Sequence, residues 1–157
     1  MKLTDFLPRK AIIPNLKAKD KKGAIQELVQ AARKANDGEK FVVADIVEAI
    51  VAREKIGTTG VGGGVGIPHA NLDGVKTLVG AFGRSASGID FNAVDGEKVY
   101  LIFLILASPS KNELYKGALQ KVIAALKRPN FVKFLRGAKT AKDIDDIFHE
   151  VEEVASV

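Results

Sequence analysis

The chain has 157 residues, of which 46% are hydrophobic and 27% charged, which is typical of one soluble globular domain. It contains no cysteine, which excludes a disulfide scaffold, a thiolate zinc site and a cysteine nucleophile and fits a cytoplasmic location. The formal net charge of +5 leaves acidic partners and nucleic acid as candidates, to be judged from the distribution of charge.

Residues 1–6 lack a charged segment followed by a long apolar run, so no signal peptide is predicted.

The N-terminal part is predicted to form two helices. Asp20 can cap a helix that begins near Lys21, because apolar residues then recur at helical spacing. A second helix with the same kind of apolar face is predicted over Ala44–Glu54.

A glycine-rich stretch follows at residues 57–66, and it cannot form a stable regular helix. We predict a loop that enters a short strand at Val65–Ile67 and leaves it at Pro68. The dinucleotide fingerprint fails here, because the third glycine position holds Val65 or Ile67. The phosphate-loop lysine is also missing, so neither ATP nor NAD is expected to bind, and no cofactor is predicted.

Two strands are predicted in the middle of the chain. The first covers Leu78–Arg84, and a turn signal lies at Ala93–Gly96. The apolar segment Val99–Ala107 is typical of a central strand covered on both faces. It is far shorter than the roughly 20 residues of a membrane-spanning helix, so no membrane insertion is expected.

The helix after the central strand is predicted to start with a capping box. Ser110 and Glu113 have the spacing of that motif. Tyr115 and Ile123 then fall on one apolar stripe of the helix.

Two further helices are predicted at the C-terminal end. Pro129 suits the first turn of a short helix that ends at Gly137, and Thr140 opens the last helix. The whole order predicts an α/β fold, with a central mixed β-sheet flanked by helices on both faces, in a single domain spanning residues 1–157.

His69 is the main candidate for chemistry. A lone histidine is usually an ordinary surface or core residue, but this one follows a proline and a glycine loop that lets a partner approach closely. Neutral imidazole is also a competent nucleophile near pH 7. A metal site is not expected, because only Asn71 and Asp73 lie nearby in sequence and zinc sites use three or four ligands. His149 lies in an acidic, polar segment.

Arg53 has two interpretations at this level. It ends the second predicted helix, where a cation is favourable against the helix dipole. Its guanidinium could instead neutralise a phosphoryl group on His69. The linear sequence does not choose between them.

The segment Leu114–Lys142 is basic. It has no acidic residue, and its basic residues are Lys116, Lys121, Lys127, Arg128, Lys133, Arg136, Lys139 and Lys142. The segment is interpreted either as solvated helix faces or as a docking surface for an acidic partner. Aromatic residues do not interleave the basic ones as a stacking platform requires, so nucleic-acid binding is not expected.

Several segments together resemble one family. The segment Arg53–His69, which contains R-E, then T-G-x-G, then I-P-H, resembles the active-site segment of type 2 enzyme IIA domains. These belong to the fructose/mannitol group of the sugar phosphotransferase system, which shares its fold with a nitrogen-regulatory branch. Segments elsewhere continue the resemblance over nearly the whole chain: Leu3–Leu7, Asp20–Lys22, Val79–Phe82 and Gly88–Val99.

This resemblance implies a function. It implies that His69 accepts a phosphoryl group from a phosphorylated histidine carrier protein, with Arg53 beside it and no bound cofactor. The phosphate then passes to a IIB domain or marks a regulatory state, which would make the chain a phosphotransferase component. The nitrogen-regulatory role is favoured over sugar transport, because no IIB, IIC or membrane segment accompanies the domain.

Tyr115 stands where the family commonly has a second histidine, which departs from the family pattern. Tyrosine can donate a hydrogen bond to a phosphoryl oxygen but cannot carry positive charge as histidine does. The alternative function is a non-catalytic regulatory module that binds an acidic partner through Leu114–Lys142.

Overall fold

The computed structural model describes the backbone of residues 1–155 and the side chains of residues 1–152. Ser156 and Val157, the end of the predicted domain, lie outside the described residues. The helices are α1 (Leu3–Phe6), α2 (Lys21–Lys34), α3 (Val43–Ile56), α4 (Asn112–Leu126), α5 (Phe131–Gly137) and α6 (Ala141–Ala155). The strands are β1 (Ile12–Ile13), β2 (Gly60–Gly62), β3 (Val65–Gly66), β4 (His69–Asn71), β5 (Leu78–Ile89) and β6 (Val99–Ala107). No helix within this part of the chain is long and apolar enough to cross a membrane.

The strands form one mixed sheet in the order β1-β5-β6-β3-β2, with β4 also paired to β6. Strands β5 and β6 are antiparallel, whereas β1 is parallel to β5. Strands β3 and β4 both run parallel to β6 and lie one after the other along it. The predicted mixed sheet is therefore confirmed, and β6 is its central strand.

Helices cover both faces of the sheet, as predicted. Alternate residues of β6 belong to two separate apolar clusters, because successive side chains of a strand point to opposite faces. Leu101, Phe103 and Ile105 pack with α1, α4, α5 and α6. Ile102, Leu104 and Leu106 pack with α2 and α3. All six of these side chains are fully buried, which explains the unbroken apolar run of this strand.

Two predicted helix starts are confirmed by their capping bonds. The Asp20 carboxylate accepts a hydrogen bond from the backbone N–H of Gly23 at 2.7 Å and caps α2. The Thr140 hydroxyl accepts one from the N–H of Asp143 at 3.1 Å and caps α6. Each bond satisfies a backbone N–H that the first helical turn leaves without a partner.

Two other predicted helix starts are wrong. The Ser108 hydroxyl, not that of Ser110, accepts the capping bond, and it caps a one-turn 3-10 helix that precedes α4. Helix α4 itself begins without a side-chain cap. Helix α5 begins at Phe131, after Asn130 in the left-handed region at φ 67°. Pro129 therefore lies before this helix and not in its first turn.

The predicted strands and helical stripe also need correction. Strand β5 continues past Arg84 to Ile89, with an irregularity in its pairing to β6 between these two residues. The two-residue strand β1 pairs only with β5, and no local pattern predicts it. Ile123, placed on the apolar stripe of α4, is 46% exposed.

Gly80 lies where β5 is crowded on two sides. A Cβ atom at this position would lie 2.7 Å from the carbonyl oxygens of both Leu104 and Phe6. Because both oxygens belong to the backbone, neither can move aside easily. Gly80→Ala is expected to destabilise the fold by about 3 kcal/mol in a urea denaturation experiment. Gly38→Ala is the matched control, because nothing lies within 4 Å of its added Cβ, and equal stabilities of the two variants would contradict the close packing.

Candidate functional site

His69 is the first residue of β4 and is half-exposed. Its ring Nδ1 lies 2.6 Å from the backbone carbonyl oxygen of Ile67. Because a carbonyl oxygen only accepts hydrogen bonds, Nδ1 must carry a proton, and in the neutral ring Nε2 then carries the lone pair. The ring is therefore held with Nε2 as its free nucleophilic atom. The strand predicted over Val65–Ile67 ends at Gly66, and His69 begins a second short strand.

Tyr115 lies beside His69. It sits in the first half of α4, and the centroids of the two rings are 6.1 Å apart with a tilt of 48°. Burial raises the pKa of the half-buried Tyr115 hydroxyl above its usual value, and the nearby Arg53 charge partly opposes this change. The hydroxyl therefore stays protonated at neutral pH and can donate a hydrogen bond towards a group on His69.

Arg53 lies in the last turn of α3 and is exposed. Its Nη1 donates a hydrogen bond to the carbonyl oxygen of Gly57 at 2.7 Å, just beyond the end of the helix. This bond fits the interpretation of a helix-end cation. Its positive charge also opposes the rise in the pKa of Tyr115. Within residues 1–152, Arg53 makes no hydrogen bond to His69 or Tyr115.

Two asparagines, Asn71 and Asn112, adjoin the site, although the sequence did not predict them as site residues. Asn71 and His69 lie on the same face of β4, because they are two residues apart in a strand. The Asn71 amide Nδ2 donates to Oδ1 of Asn112 at 3.1 Å and so joins β4 to the start of α4. The Asn71 Oδ1 atom is buried and has no partner among the described residues. Strand alternation from His69 could have identified Asn71.

The glycine-rich stretch forms a tight turn between β2 and β3. Gly63 and Gly64 have φ values of 66° and 81°, which side chains of L-residues rarely adopt. The Asp95 carboxylate accepts hydrogen bonds from the N–H groups of Glu97 and Gly63, each at 3.0 Å. These bonds, that from Glu97 first, lower the pKa of Asp95. The stretch is thus a hairpin whose turn is hydrogen-bonded to Asp95.

The described side chains were compared with the ligand sets that metal ions need. Among the described side chains, no three His, Asp or Glu residues lie close enough together to hold a metal ion. Asn71, one of the two polar residues near His69 in sequence, is instead hydrogen-bonded to Asn112.

The basic segment Leu114–Lys142 is partly neutralised within the molecule. Lys121 lies 3.8 Å from Glu152, and Lys142 lies 2.9 Å from Asp146. The Arg136 guanidinium stacks over the Tyr100 ring at 3.8 Å. Three of the eight basic residues therefore have local partners within the chain, which agrees with the interpretation as solvated helix faces.

The chain matches the family described as "Phosphoenolpyruvate-dependent sugar phosphotransferase system, EIIA 2" over residues 5–151. A nitrogen regulatory protein of Bradyrhizobium diazoefficiens is 38% identical over 145 residues, which is 92% of each chain. A fructose-specific EIIABC component of Bacillus subtilis is 35% identical over 153 residues, which is 96% of this chain but 23% of that protein.

Solved structures agree with these sequence relatives. The nitrogen regulatory protein IIA-Ntr of Neisseria meningitidis is 29% identical and superposes with a TM-score of 0.83, covering 93% of this chain and 98% of its own. The mannitol IIA structure of Escherichia coli is 21% identical with a TM-score of 0.74, covering 90% and 98%. At that identity, the second match supports the fold alone. The resemblance drawn from the sequence is confirmed.

Proposed function

Since the chain belongs to the EIIA type 2 family of the phosphoenolpyruvate-dependent sugar phosphotransferase system, we propose that it carries its phosphoryl group on Nε2 of His69. Family membership makes the chain a phosphoryl carrier. What we propose is which residues carry and stabilise the phosphate. The observation that supports this assignment most directly is the 2.6 Å contact between Nδ1 of His69 and the Ile67 carbonyl oxygen. That contact leaves Nε2 with the lone pair.

The transfer is a displacement at phosphorus. The Nε2 lone pair attacks the phosphorus of a phosphorylated histidine carrier protein, in line with the bond that breaks. The electron pair of that nitrogen–phosphorus bond returns to the ring of the carrier. Throughout the step, the Nδ1 proton of His69 stays hydrogen-bonded to the Ile67 carbonyl oxygen, which holds the ring in one tautomer as the third member of a catalytic triad does.

Arg53 and Tyr115 are proposed to stabilise the charge of the phosphoryl group. Arg53 has further N–H donors besides the one used on Gly57. The Tyr115 hydroxyl is protonated at neutral pH, because burial raises its pKa. Both groups are therefore available as donors to the equatorial oxygens of the phosphorus while it transfers.

Tyr115 allows a test of the position where the family commonly has histidine. Tyr115→Phe removes one donor to a charged oxygen, so kcat/KM for transfer from the carrier is expected to fall about tenfold. Tyr115→His is expected to match or exceed the wild-type rate. Because the pKa of Tyr115 is raised, its contribution should stay constant from pH 7 to about pH 9. Equal rates for wild type and Tyr115→Phe would remove Tyr115 from the site.

The partners are proposed from the relatives. The donor is a phosphorylated histidine carrier protein, and the recipient is a IIB domain or a regulatory target. A complex of the mannitol IIA of Escherichia coli with its phosphorylated IIB has been solved, and that protein is 20% identical to this chain. We favour the nitrogen-regulatory role because relatives named for it match over nearly their full length.

The experiment that tests the function is a phosphorylation assay. The protein is incubated with phosphoenolpyruvate, enzyme I and the histidine carrier, and labelled phosphate is then tested for stability in acid and alkali. An acid-labile, alkali-stable label is expected. Phosphorus–nitrogen coupling in the NMR spectrum should assign it to Nε2. The absence of label, or a label on Nδ1, would overturn the proposal.

The alternative function, an interaction module that uses Leu114–Lys142, has less support. Its basic residues Lys121 and Lys142 already have acidic partners within the chain. Capture of an acidic protein that survives loss of His69 but fails after charge reversal at Lys127 and Arg128 would favour this alternative.

A further inference from the structure

A buried ion pair lies behind the site. Lys21, at the start of α2, and Glu54, near the end of α3, are joined by a contact of 2.8 Å between Nζ and Oε1. Their side chains are 18% and 4% exposed. Removing two charges from water is costly, and an apolar pair of similar volume often stabilises a fold equally well. A contribution to stability alone therefore does not explain the pair.

The Glu54 carboxylate begins a chain of hydrogen bonds that ends at His69. Its Oε1 accepts a bond from the backbone N–H of Thr59 at 2.9 Å. The carbonyl oxygen of Thr59 accepts one from the N–H of Ile67 at 3.0 Å. The carbonyl oxygen of Ile67 in turn contacts Nδ1 of His69 at 2.6 Å. The ion pair is thus connected to the ring through the backbones of two residues, Thr59 and Ile67.

Phe91 contacts the Lys21 side of the ion pair and also the chain just before β2. Its carbonyl oxygen accepts hydrogen bonds from Lys21 Nζ at 3.1 Å and from the Thr58 hydroxyl at 2.8 Å. The Lys21 ammonium also lies 4.5 Å from the centroid of the Phe91 ring, at a distance typical of cation–π contacts. The same ring packs so closely against Gly66 that an added Cβ would lie 3.2 Å from it. Phe91 therefore contacts the segment just before β2, at Thr58, and the end of β3, at Gly66.

Two further polar atoms of this cluster are buried. Glu54 Oε2 and the Thr59 hydroxyl oxygen have no hydrogen-bond partner among the described residues. A buried polar atom without a partner destabilises the fold, so these two atoms add no stability that would account for the ion pair.

We infer that Lys21 and Glu54 are positioning residues that hold the Ile67 carbonyl oxygen, and through it fix the tautomer and orientation of His69. The inference rests on the proposed role of His69 as phosphoryl acceptor. Neither residue touches the phosphoryl group. The pair acts by keeping Nδ1 protonated and Nε2 free at the point of attack, where small misplacements slow a reaction strongly.

Glu54→Gln is the direct test. The amide keeps an oxygen for the Thr59 N–H but loses the charge that pairs with Lys21. We expect kcat/KM for transfer from the carrier to fall about tenfold. We also expect the ¹⁵N chemical shifts of the unphosphorylated His69 ring to change from one tautomer to a mixture. Asp146→Asn is the matched control, because it removes the exposed partner of Lys142 at the same kind of distance, 2.9 Å, and should change neither readout.

Lys21→Gln provides the second variant, should Glu54→Gln fail to fold. It leaves the Thr59 bond in place while removing the cation, and the same two changes are expected. A folded variant with wild-type kcat/KM and one unchanged tautomer would overturn the inference. If the wild type itself takes no label, the proposed function fails. The tautomer measurement on the unphosphorylated protein still decides the inference separately.

Discussion

His69→Ala is expected to reduce the acid-labile phosphate label to background, a loss of at least about 1,000-fold in transfer. The substitution removes Nε2, the ring nitrogen that accepts the phosphoryl group in the proposed transfer. The fold should survive, because β4 is held to β6 by its backbone from His69 opposite Ile105 to Asn71 opposite Ala107. The label is measured after incubation with phosphoenolpyruvate, enzyme I and the histidine carrier.

His149→Ala is the matched control for this experiment. His149 is the other histidine of the chain. It is exposed on α6, with Nε2 3.6 Å from the Asp145 carboxylate. Its removal should leave the label unchanged. A label that persists in His69→Ala would exclude His69 as the acceptor.

Arg53→Ala is expected to lower kcat/KM for phosphoryl transfer about 100-fold. The guanidinium charge would otherwise balance the negative charge that spreads over the oxygens as the phosphorus transfers. Arg53→Lys should recover only part of the rate, because an ammonium supplies charge without the planar fork of donors. Single-turnover kinetics with the phosphorylated carrier would measure both variants.

Lys55→Ala is the control for the helix-end interpretation of Arg53. Lys55 lies in the same last turn of α3 and is also exposed. If Arg53 served only the helix end through Gly57, both variants would transfer phosphate at the wild-type rate. They would differ from wild type only in thermal stability. That result would return Arg53 to a structural role.

Elements with strong local signals were predictable from the sequence. The Asp20 cap and the apolar face after it identify α2 without knowledge of any partner. The run Val99–Ala107 identifies β6 with its bounds as observed. Both signals lie within one short window of sequence, because capping and burial on both faces leave a local mark.

Elements that exist only through pairing were not predictable. Strand β1 has two residues and is defined by its register opposite Phe82 and Gly83. The left-handed Asn130 delays the start of α5 past Pro129. Neither feature leaves a periodic pattern, because β1 depends on pairing with a distant strand and Asn130 is a single residue with an unusual backbone conformation.

In the candidate site too, some residues were predictable from the sequence, whereas their long-range contacts were not. His69 and Arg53 were candidates from their local sequence setting, and Tyr115 came from the family resemblance. The structure brings Tyr115 next to His69. The bond from Asn71 to Asn112 and the ion pair of Lys21 with Glu54 join residues far apart in the sequence. No window of sequence contains both partners of either contact, so only the fold could reveal them.

The pairing of β4 with β6 has a consequence for synthesis of the protein. During translation, His69 leaves the ribosome well before its strand partner Ile105 and before Tyr115. A nascent chain that stops before residue 107 therefore lacks the strand that gives β4 its place in the sheet. Because domains generally fold as units, the surroundings of His69 are assembled only once α4 has been made, and incomplete chains lack them.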